Sequence, residues 1–244
     1  MSDDAAARPA RSVRLWPLLA AQALTAFNDN AWKLLVLVVG EQLLRSRITG
    51  ADEFAAAKEH QAFVATAALL IPLVVFSLPG GAIADRVGKR GWIVGLKFAE
   101  CVVLAVGAWA LSFTPPSYGL LIAVLAAMGC ISALLAPAKY GILPELVPHE
   151  RLSEANGALE LWTFLAIIGG TALGPILFEA FGGAALGGVV LLALAGVGLA
   201  SSLAIPKTEP ARASGSLARS VAEGWAALRA DKTLRLCVIG STWF

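Results

Sequence analysis

Charged and amide side chains interrupt two of the apolar stretches in this sequence. A charge at the centre of a bilayer costs about 2.5–3.5 kcal/mol even on a lenient scale, so such residues usually face a cavity or a partner. These groups are therefore the first candidates for binding chemistry. They are Asn28, Asp29, Asn30 and Lys33 in the first stretch, and Lys97 and Glu100 in a later one.

Helical spacing places each set of charges on one face. Asp29 and Lys33 are four residues apart, and Lys97 and Glu100 are three apart, so each set can form an ion pair. One interpretation is that both pairs serve folding alone. Three consecutive polar residues around Asp29 exceed what one ion pair requires, which favours a binding role there. Lys97 is near the cytoplasmic end of its stretch, so it can also extend its ammonium towards water.

A short segment after the second apolar stretch combines glycines, an acid and bases at ordered spacing. Residues 81–90 read GAIADRVGKR. Gly81 lets two helices approach, Asp85 can accept hydrogen bonds from a facing helix N-terminus, and Gly88 permits a tight turn. The bases that hold this loop in the cytoplasm are Arg86, Lys89 and Arg90.

Six apolar runs are long enough to carry these side chains across a membrane, since a membrane helix needs roughly 20 apolar residues. Pro72 and Pro79 predict kinks or a broken end in the second run. Glycines at 170 and 174, and again at 183 and 187, have a spacing typical of helix packing in lipid. The runs are Leu15–Gly40, Ala62–Ala84, Trp92–Phe113, Tyr118–Ala136, Ala158–Phe181 and Ala184–Ile205, and a seventh begins near Leu234.

Composition argues against several functional classes. Of the 244 residues, 58% are hydrophobic and 15% charged, and the net charge is +2. Soluble domains average about 45–50% apolar and about 25% charged, so a soluble enzyme is disfavoured. The net charge is too small for a nucleic-acid binder. Neither the three cysteines nor the two histidines show a metal-ligand pattern, so no metal, cofactor or catalytic residue is expected.

The distribution of bases predicts the orientation. If the N-terminus is cytoplasmic, only Arg45, Arg47 and Lys58 of the 19 lysines and arginines fall in outer loops. The first run is too long and too polar at its centre for a cleaved signal peptide. We therefore expect a multi-pass protein with a cytoplasmic N-terminus.

The 81–90 segment resembles the signature loop of the major facilitator superfamily. Six runs, a long linker and the start of a seventh agree with that family's six-plus-six plan. The resemblance implies an all-α membrane fold with two inverted three-helix repeats. It implies a bundle at residues 1–205, an inter-half linker at 206–232, and a truncated seventh helix at 233–244. It also implies a cytoplasmic latch made of Gly81, Asp85, Arg86, Gly88, Lys89 and Arg90.

A finer resemblance points to bacterial lysophospholipid transporters. It is carried by APAKYGILPEL at 136–146, by LSEANGALE at 152–160 continuing into TFLAI at 163–167, and by FNDN at 27–30. In the family plan Lys139 and Glu145 lie beside the latch, which implies a loop that gates the cytoplasmic side. The alternative is a solvated loop without a gating role. The gate residues would be Lys139, Tyr140, Glu145, Asn156 and Glu160.

The resemblance implies a lysophospholipid flippase of the bacterial inner membrane. It would move lipids such as lysophosphatidylethanolamine inward for reacylation by an acyltransferase, which is a separate partner or a fused domain with an acyl-carrier-protein synthetase. Asp29 would bind the headgroup amine, and Lys97 or Lys33 the phosphate. The substrate-binding set is then Asn28, Asp29, Asn30, Lys33, Lys97 and Glu100.

Other functions stay open. Another major facilitator exporter of drugs or metabolites fits the composition equally well, although the fourth run lacks the arginine of many proton-driven exporters. An acyltransferase would need a histidine and an aspartate separated by four residues. His149 has a partner at that spacing, but the partner is Glu154 and not an aspartate. Because the substrate site of this family lies between two halves, residues 1–244 are not expected to transport alone and need a C-terminal six-helix half.

Overall fold

Six long helices make up the part of the chain that the structure describes. The computed structural model describes residues 15–180, 183–207, 226, 229–232 and 236, with side chains at all of these except 77–79, 82, 85 and 177–180. The predicted all-α bundle is confirmed, and a short 3₁₀ helix at His149–Arg151 precedes the fifth helix. The helices are α1 (Trp16–Arg45), α2 (Ala51–Val87), α3 (Lys89–Leu111), α4 (Tyr118–Leu146), α5 (Leu152–Ala180) and α6 (Ala184–Leu203).

Length and hydropathy make this a multi-pass membrane protein. Helices α2 to α6 each contain a segment long and apolar enough to cross a bilayer. Helix α1 has 30 residues, which also suffices. Its mean hydropathy is lower because Asn28–Asn30 and Lys33 lie near its middle.

The helix packing follows the two-repeat plan. The most extensive contacts join α2 to α4, α1 to α5 and α3 to α6, followed by α3 to α4 and α1 to α6. Exchanging α1 with α4, α2 with α5 and α3 with α6 leaves this set of pairs unchanged. The first three helices therefore relate to the next three as two repeats, as in transporter folds.

Two buried apolar clusters hold the bundle together. One surrounds Trp32, whose indole Nε1 donates to the carbonyl of Leu121 at 3.4 Å. Gly107 of α3 faces the same ring, and a Cβ there would collide with it. The second cluster lies nearer the other end of the bundle, around Leu18, Ile93 and related side chains. Together they fix α1 against α3 and α4, the helices that carry the buried charges.

The predicted loop after the fourth run is wrong. Helix α4 continues to Leu146, ten residues beyond the predicted end at Ala136, and includes Pro137 and Pro144. Each proline removes one helical hydrogen bond. Burial of Ile142, Leu143 and their neighbours against the second cluster offsets that loss. Likewise α2 runs unbroken through Pro72 and Pro79, so the predicted broken end is also wrong.

Glycines with positive φ mark two helix starts. Gly88 precedes α3 with φ of 81°, which confirms the predicted tight turn, and Gly183 precedes α6 with φ of 130°. Gly183 therefore serves a backbone conformation and not the predicted helix contact, since a Cβ there would meet nothing within 4 Å. Most of the predicted linker at 206–232 and nearly all of the predicted seventh helix at 233–244 lie outside the described residues.

Candidate functional site

A cavity of about 290 Å³ opens between α1, α2, α4 and α5. Leucines of α2, including Leu69 and Leu73, make much of its wall apolar. Gly129 of α4 lies close to α2, and a Cβ there would stand 2.8 Å from the carbonyl oxygen of Leu69. The polar lining is confined to α1, α4 and α5. It consists of Gln22, Thr25, Asp29, Asn30, Ser132, Lys139 and Thr163.

Asp29 is the acidic group of the cavity wall. Its Oδ2 accepts a hydrogen bond from the hydroxyl of Ser132 at 2.5 Å, which ties α1 to α4. The predicted ion pair with Lys33 does not form. Lys33 is partly exposed and is not among the residues lining the cavity. Helical spacing allowed the pair, but the contact between α1 and α4 gives Asp29 a closer partner.

Two amides flank Asp29 in the cavity wall. Asn30 turns back to its own helix and donates to the carbonyl of Ala26 at 2.8 Å. Gln22, one further turn towards the start of α1, donates to Thr163 of α5 over a long 3.5 Å. The Oε1 atom of Gln22 is buried and has no hydrogen-bond partner among the described residues. Sequence reasoning did not identify Gln22, Ser132 or Thr163 as site residues, since each is an uncharged polar residue within an apolar run.

The second predicted ion pair, between Lys97 and Glu100, forms, but it lies away from the cavity. Lys97 Nζ contacts Glu100 Oε2 at 2.5 Å, and both side chains are almost fully buried, at 0% and 1% exposure. Thr25 and Asn28 of α1 also donate to this carboxylate, at 3.0 and 3.2 Å. The alternative in which Lys97 extends to water is therefore wrong. Neither Lys97 nor Glu100 lines the cavity.

Glycines bring α1 and α5 together beside the cavity. A Cβ on Gly174 would stand 3.1 Å from the Cα of Ala31, and one on Gly170 would collide with the backbone carbonyl of Phe27. The predicted packing role of this pair is confirmed. The close approach at the end of α2 involves Gly80, whose Cβ would lie 3.1 Å from the Cα of Leu134, whereas Gly81 has only ordinary contacts.

The 81–90 segment binds the ends of two other helices. Lys89 forms an ion pair with Glu145 at the end of α4. Arg90 donates to the carbonyls of Leu203 and Ile205 at the end of α6, at 2.8 and 2.6 Å. Arg86 is exposed, and the side chain of Asp85 lies outside the described residues. A latch between two halves stays a prediction, because these contacts lie within one bundle.

The predicted gate residues make separate contacts and do not form one cluster. Tyr140 donates to Glu160 of α5, and Lys139 packs against the Tyr140 ring, with Nζ 4.9 Å from its centroid. Glu145 instead joins the 81–90 segment. Asn156 donates to the carbonyl of Leu152 in its own helix at 3.0 Å. All of these residues are helical, so any gating motion would move helix ends and not a loop.

An ion-pair cluster lies at the opposite end of the bundle. Glu41, just beyond the first apolar run, contacts Lys58 at 2.8 Å and Arg45 at 2.7 Å. Hydrogen bonds from Lys58 and then Arg45 hold the pKa of Glu41 below its ordinary value. Across the described residues, His, Cys, Asp and Glu side chains form no group of three that could hold a metal ion.

Comparisons with known proteins place this geometry in a family. The sequence profile of the Major Facilitator Superfamily matches residues 18–244. The lysophospholipid transporter LplT of Yersinia pestis (strain Pestoides F) is 34% identical over 183 residues, which are 73% of this chain and 39% of the relative. LplT of Yersinia pseudotuberculosis serotype O:3 (strain YPIII) gives the same values.

A solved structure agrees in fold. A mutant of the peptide transporter POT, in complex with sulfate, matches with a TM-score of 0.58 and 19% identity, covering 94% of this chain and 47% of that chain. This likeness shows the fold alone. The chain spans about two fifths of the length of the curated relatives that it matches.

Proposed function

The chain belongs to the major facilitator superfamily, and from that premise we propose that it forms half of a secondary transporter for lysophospholipids in the bacterial inner membrane. The full transporter would move lysophosphatidylethanolamine-type lipids inward, and a cytoplasmic acyltransferase would reacylate them. The transporting unit would contain a second six-helix half facing the cavity, and the N-terminus would be cytoplasmic, as the basic residues favour.

The observation that carries this proposal is a buried acid in a cavity whose α2 wall is apolar. Asp29 is buried beside leucines of α2, and Ser132 is its hydrogen-bond partner. Lysophosphatidylethanolamine combines an ammonium with a single apolar chain, so such a wall matches its chemistry. At about 290 Å³ the cavity is at the small end of ligand pockets, roughly 300–1,000 Å³, so it suits a headgroup better than a whole lipid.

An apolar groove lies on the opposite side of the α1–α5 pair. Its wall includes Leu24, Phe27 and Leu165, and its volume is about 290 Å³. Many large apolar side chains on the outer faces of α2 and α5 are exposed, as expected where acyl chains replace water. The acyl chain would stay in the surrounding lipid while the headgroup crosses, because the packed α1–α5 pair separates this groove from the cavity.

Lipid uptake with an Asp29→Asn variant tests the proposal. The protein expressed from its native gene is reconstituted in liposomes, and inward movement of labelled lysophosphatidylethanolamine is followed. Losing a charge-assisted contact of about 1.5–3 kcal/mol predicts roughly a tenfold or greater fall in uptake. Asp52→Asn, at an exposed position in the first turn of α2, is the matched control and is expected to leave uptake unchanged.

Two results would count against the proposal in different ways. Unchanged uptake by Asp29→Asn at equal protein level would overturn the role of Asp29 but leave the lipid substrate standing. Failure of the unsubstituted protein to move any lysophospholipid, together with movement of a water-soluble drug or metabolite, would overturn the substrate itself.

A further inference from the structure

Lys139 is a buried cation in the cavity wall with no acidic partner in contact. Its exposed fraction is 8%, and it lines the same cavity as Asp29. Among the residues that the structure describes, it forms no ion pair and no hydrogen bond. Its ammonium lies over the face of the Tyr140 ring, with Nζ 4.9 Å from the ring centroid. Burial of an ammonium without a hydrogen-bonding partner is unfavourable, so an anion entering the cavity would find a site ready to bind it.

Three other lysines of the bundle lie outside the cavity lining. Lys97 is fully buried against Glu100 and lies outside the cavity lining. Lys33 is also outside the lining, and Lys89 pairs with Glu145 at the helix ends. Within the described part of the chain, Lys139 is thus the base that lines this cavity.

Helix geometry sets Lys139 towards Asp29. Ser132, which holds Asp29, and Lys139 are seven residues apart on α4, two turns or roughly 10 Å along the axis. Both therefore lie on one face of the helix. Helical side chains lean towards the helix N-terminus, which for Lys139 is the direction of Ser132. The cavity thus presents an acid and a base along one wall.

We propose that Lys139 binds the phosphate of a single-chain phospholipid headgroup while Asp29 binds its ammonium. This inference rests on the proposed function, which supplies the phosphate as the anion. It replaces two earlier assignments, namely Lys97 or Lys33 as the phosphate ligand and Lys139 as a gate residue. The Tyr140 ring and the Tyr140–Glu160 contact position the lysine and do not neutralise it by direct contact.

Binding measurements with three ligands separate the two charges. The protein expressed from its native gene is placed in nanodiscs and titrated with lysophosphatidylethanolamine, lysophosphatidic acid and a single-chain alkylamine. Lys139→Met is expected to weaken both phospholipids about tenfold or more, since it removes a charged hydrogen bond, and to change alkylamine binding less than about twofold. Lys139→Arg is expected to restore most of the affinity. Lys207→Met, at an exposed lysine beyond α6, is the matched control.

Each remaining outcome has a fixed meaning. Equal phospholipid affinity in Lys139→Met and the unsubstituted protein overturns the phosphate site and leaves the lipid substrate intact. Weakening of all three ligands by the same factor also overturns it, because that pattern marks a general packing defect. Binding of glycerophosphoethanolamine as tight as that of the lipid would assign the site to a water-soluble phosphodiester and overturn the lipid assignment. Absence of any lysophospholipid binding by the unsubstituted protein overturns the proposed function and this site together.

Discussion

Breaking the Lys97–Glu100 pair should destabilise the protein far more than replacing both partners. The two side chains are 0% and 1% exposed, so no solvent screens a charge that loses its partner. Removing one member of a buried pair costs about 3–5 kcal/mol, because an uncompensated charge stays behind. Among the described residues, Lys97→Met leaves the carboxylate with Thr25 and Asn28 as its donors.

The double variant Lys97→Met/Glu100→Gln removes both charges. Asn28 can still donate to the amide oxygen, and the Thr25 hydroxyl, which faces the other position, can accept from the amide nitrogen instead. The net loss is then a few weakened hydrogen bonds of about 1 kcal/mol each. The expected cost is therefore about 1–3 kcal/mol, well below the sum of the single changes. The coupling energy in a double-mutant cycle should exceed about 2 kcal/mol.

Reversible unfolding in mixed micelles, with a rising fraction of denaturing detergent, measures all four proteins of this cycle. Tryptophan fluorescence and helical circular dichroism report the transition. Additive single effects, with a coupling below about 0.5 kcal/mol, would refute the reasoning. So would a Lys97→Met protein of native stability that has lost lysophospholipid binding, because that result would return Lys97 to the substrate site.

Three further predictions concern contacts outside this pair. Gly170→Ala should push α1 from α5 and lower the unfolding midpoint, whereas Gly157→Ala, with open space at its Cβ, should match the parent or exceed it. Lys89→Met and Glu145→Gln should each shift the balance between inward-open and outward-open states in the same direction, measured by cysteine accessibility. The double variant should shift it by less than the sum of the two single changes. The lowered pKa of Glu41 stabilises the fold at pH values above the ordinary 4.5, and this contribution is lost as the pH falls through the lowered value. The Glu41→Gln variant should therefore be less stable than the parent at pH 7, by under about 1 kcal/mol, and equal to it in strong acid.

Local patterns predicted the helices and several of their contacts. Apolar runs located all six helices, because hydropathy over roughly 20 residues is a property of the segment itself. The turn at Gly88 and the pairing of Lys97 with Glu100 also follow from neighbouring residues. The packing of α5 on α1 was expected from the small residues Gly170 and Gly174, although the identity of the partner helix was not.

Sequence patterns did not predict the contacts between helices that are far apart along the chain. Spacing showed that Asp29 and Lys33 share a face, but not that the face meets Ser132 of α4. The fourth apolar run ended at Ala136 and the resemblance of residues 136–146 implied a loop there, and this placed Lys139 outside the membrane region. Once α4 is continued through Pro137, the seven-residue spacing of Ser132 and Lys139 becomes a signal that both face the cavity.

The continuity of α4 has a thermodynamic consequence. One helix carries Ser132 and Lys139 in the cavity wall and Glu145 at the contact with Lys89. A displacement of α4 as one body that releases Lys89 also changes the distance between Lys139 and Asp29. If these two residues bind a headgroup as proposed, headgroup occupancy and release of the Lys89–Glu145 contact are linked equilibria, and each shifts the other by the same free energy. A ligand that draws Asp29 and Lys139 together would therefore alter the strength of the contact between Glu145 and Lys89. It would do so without touching Glu145 or Lys89.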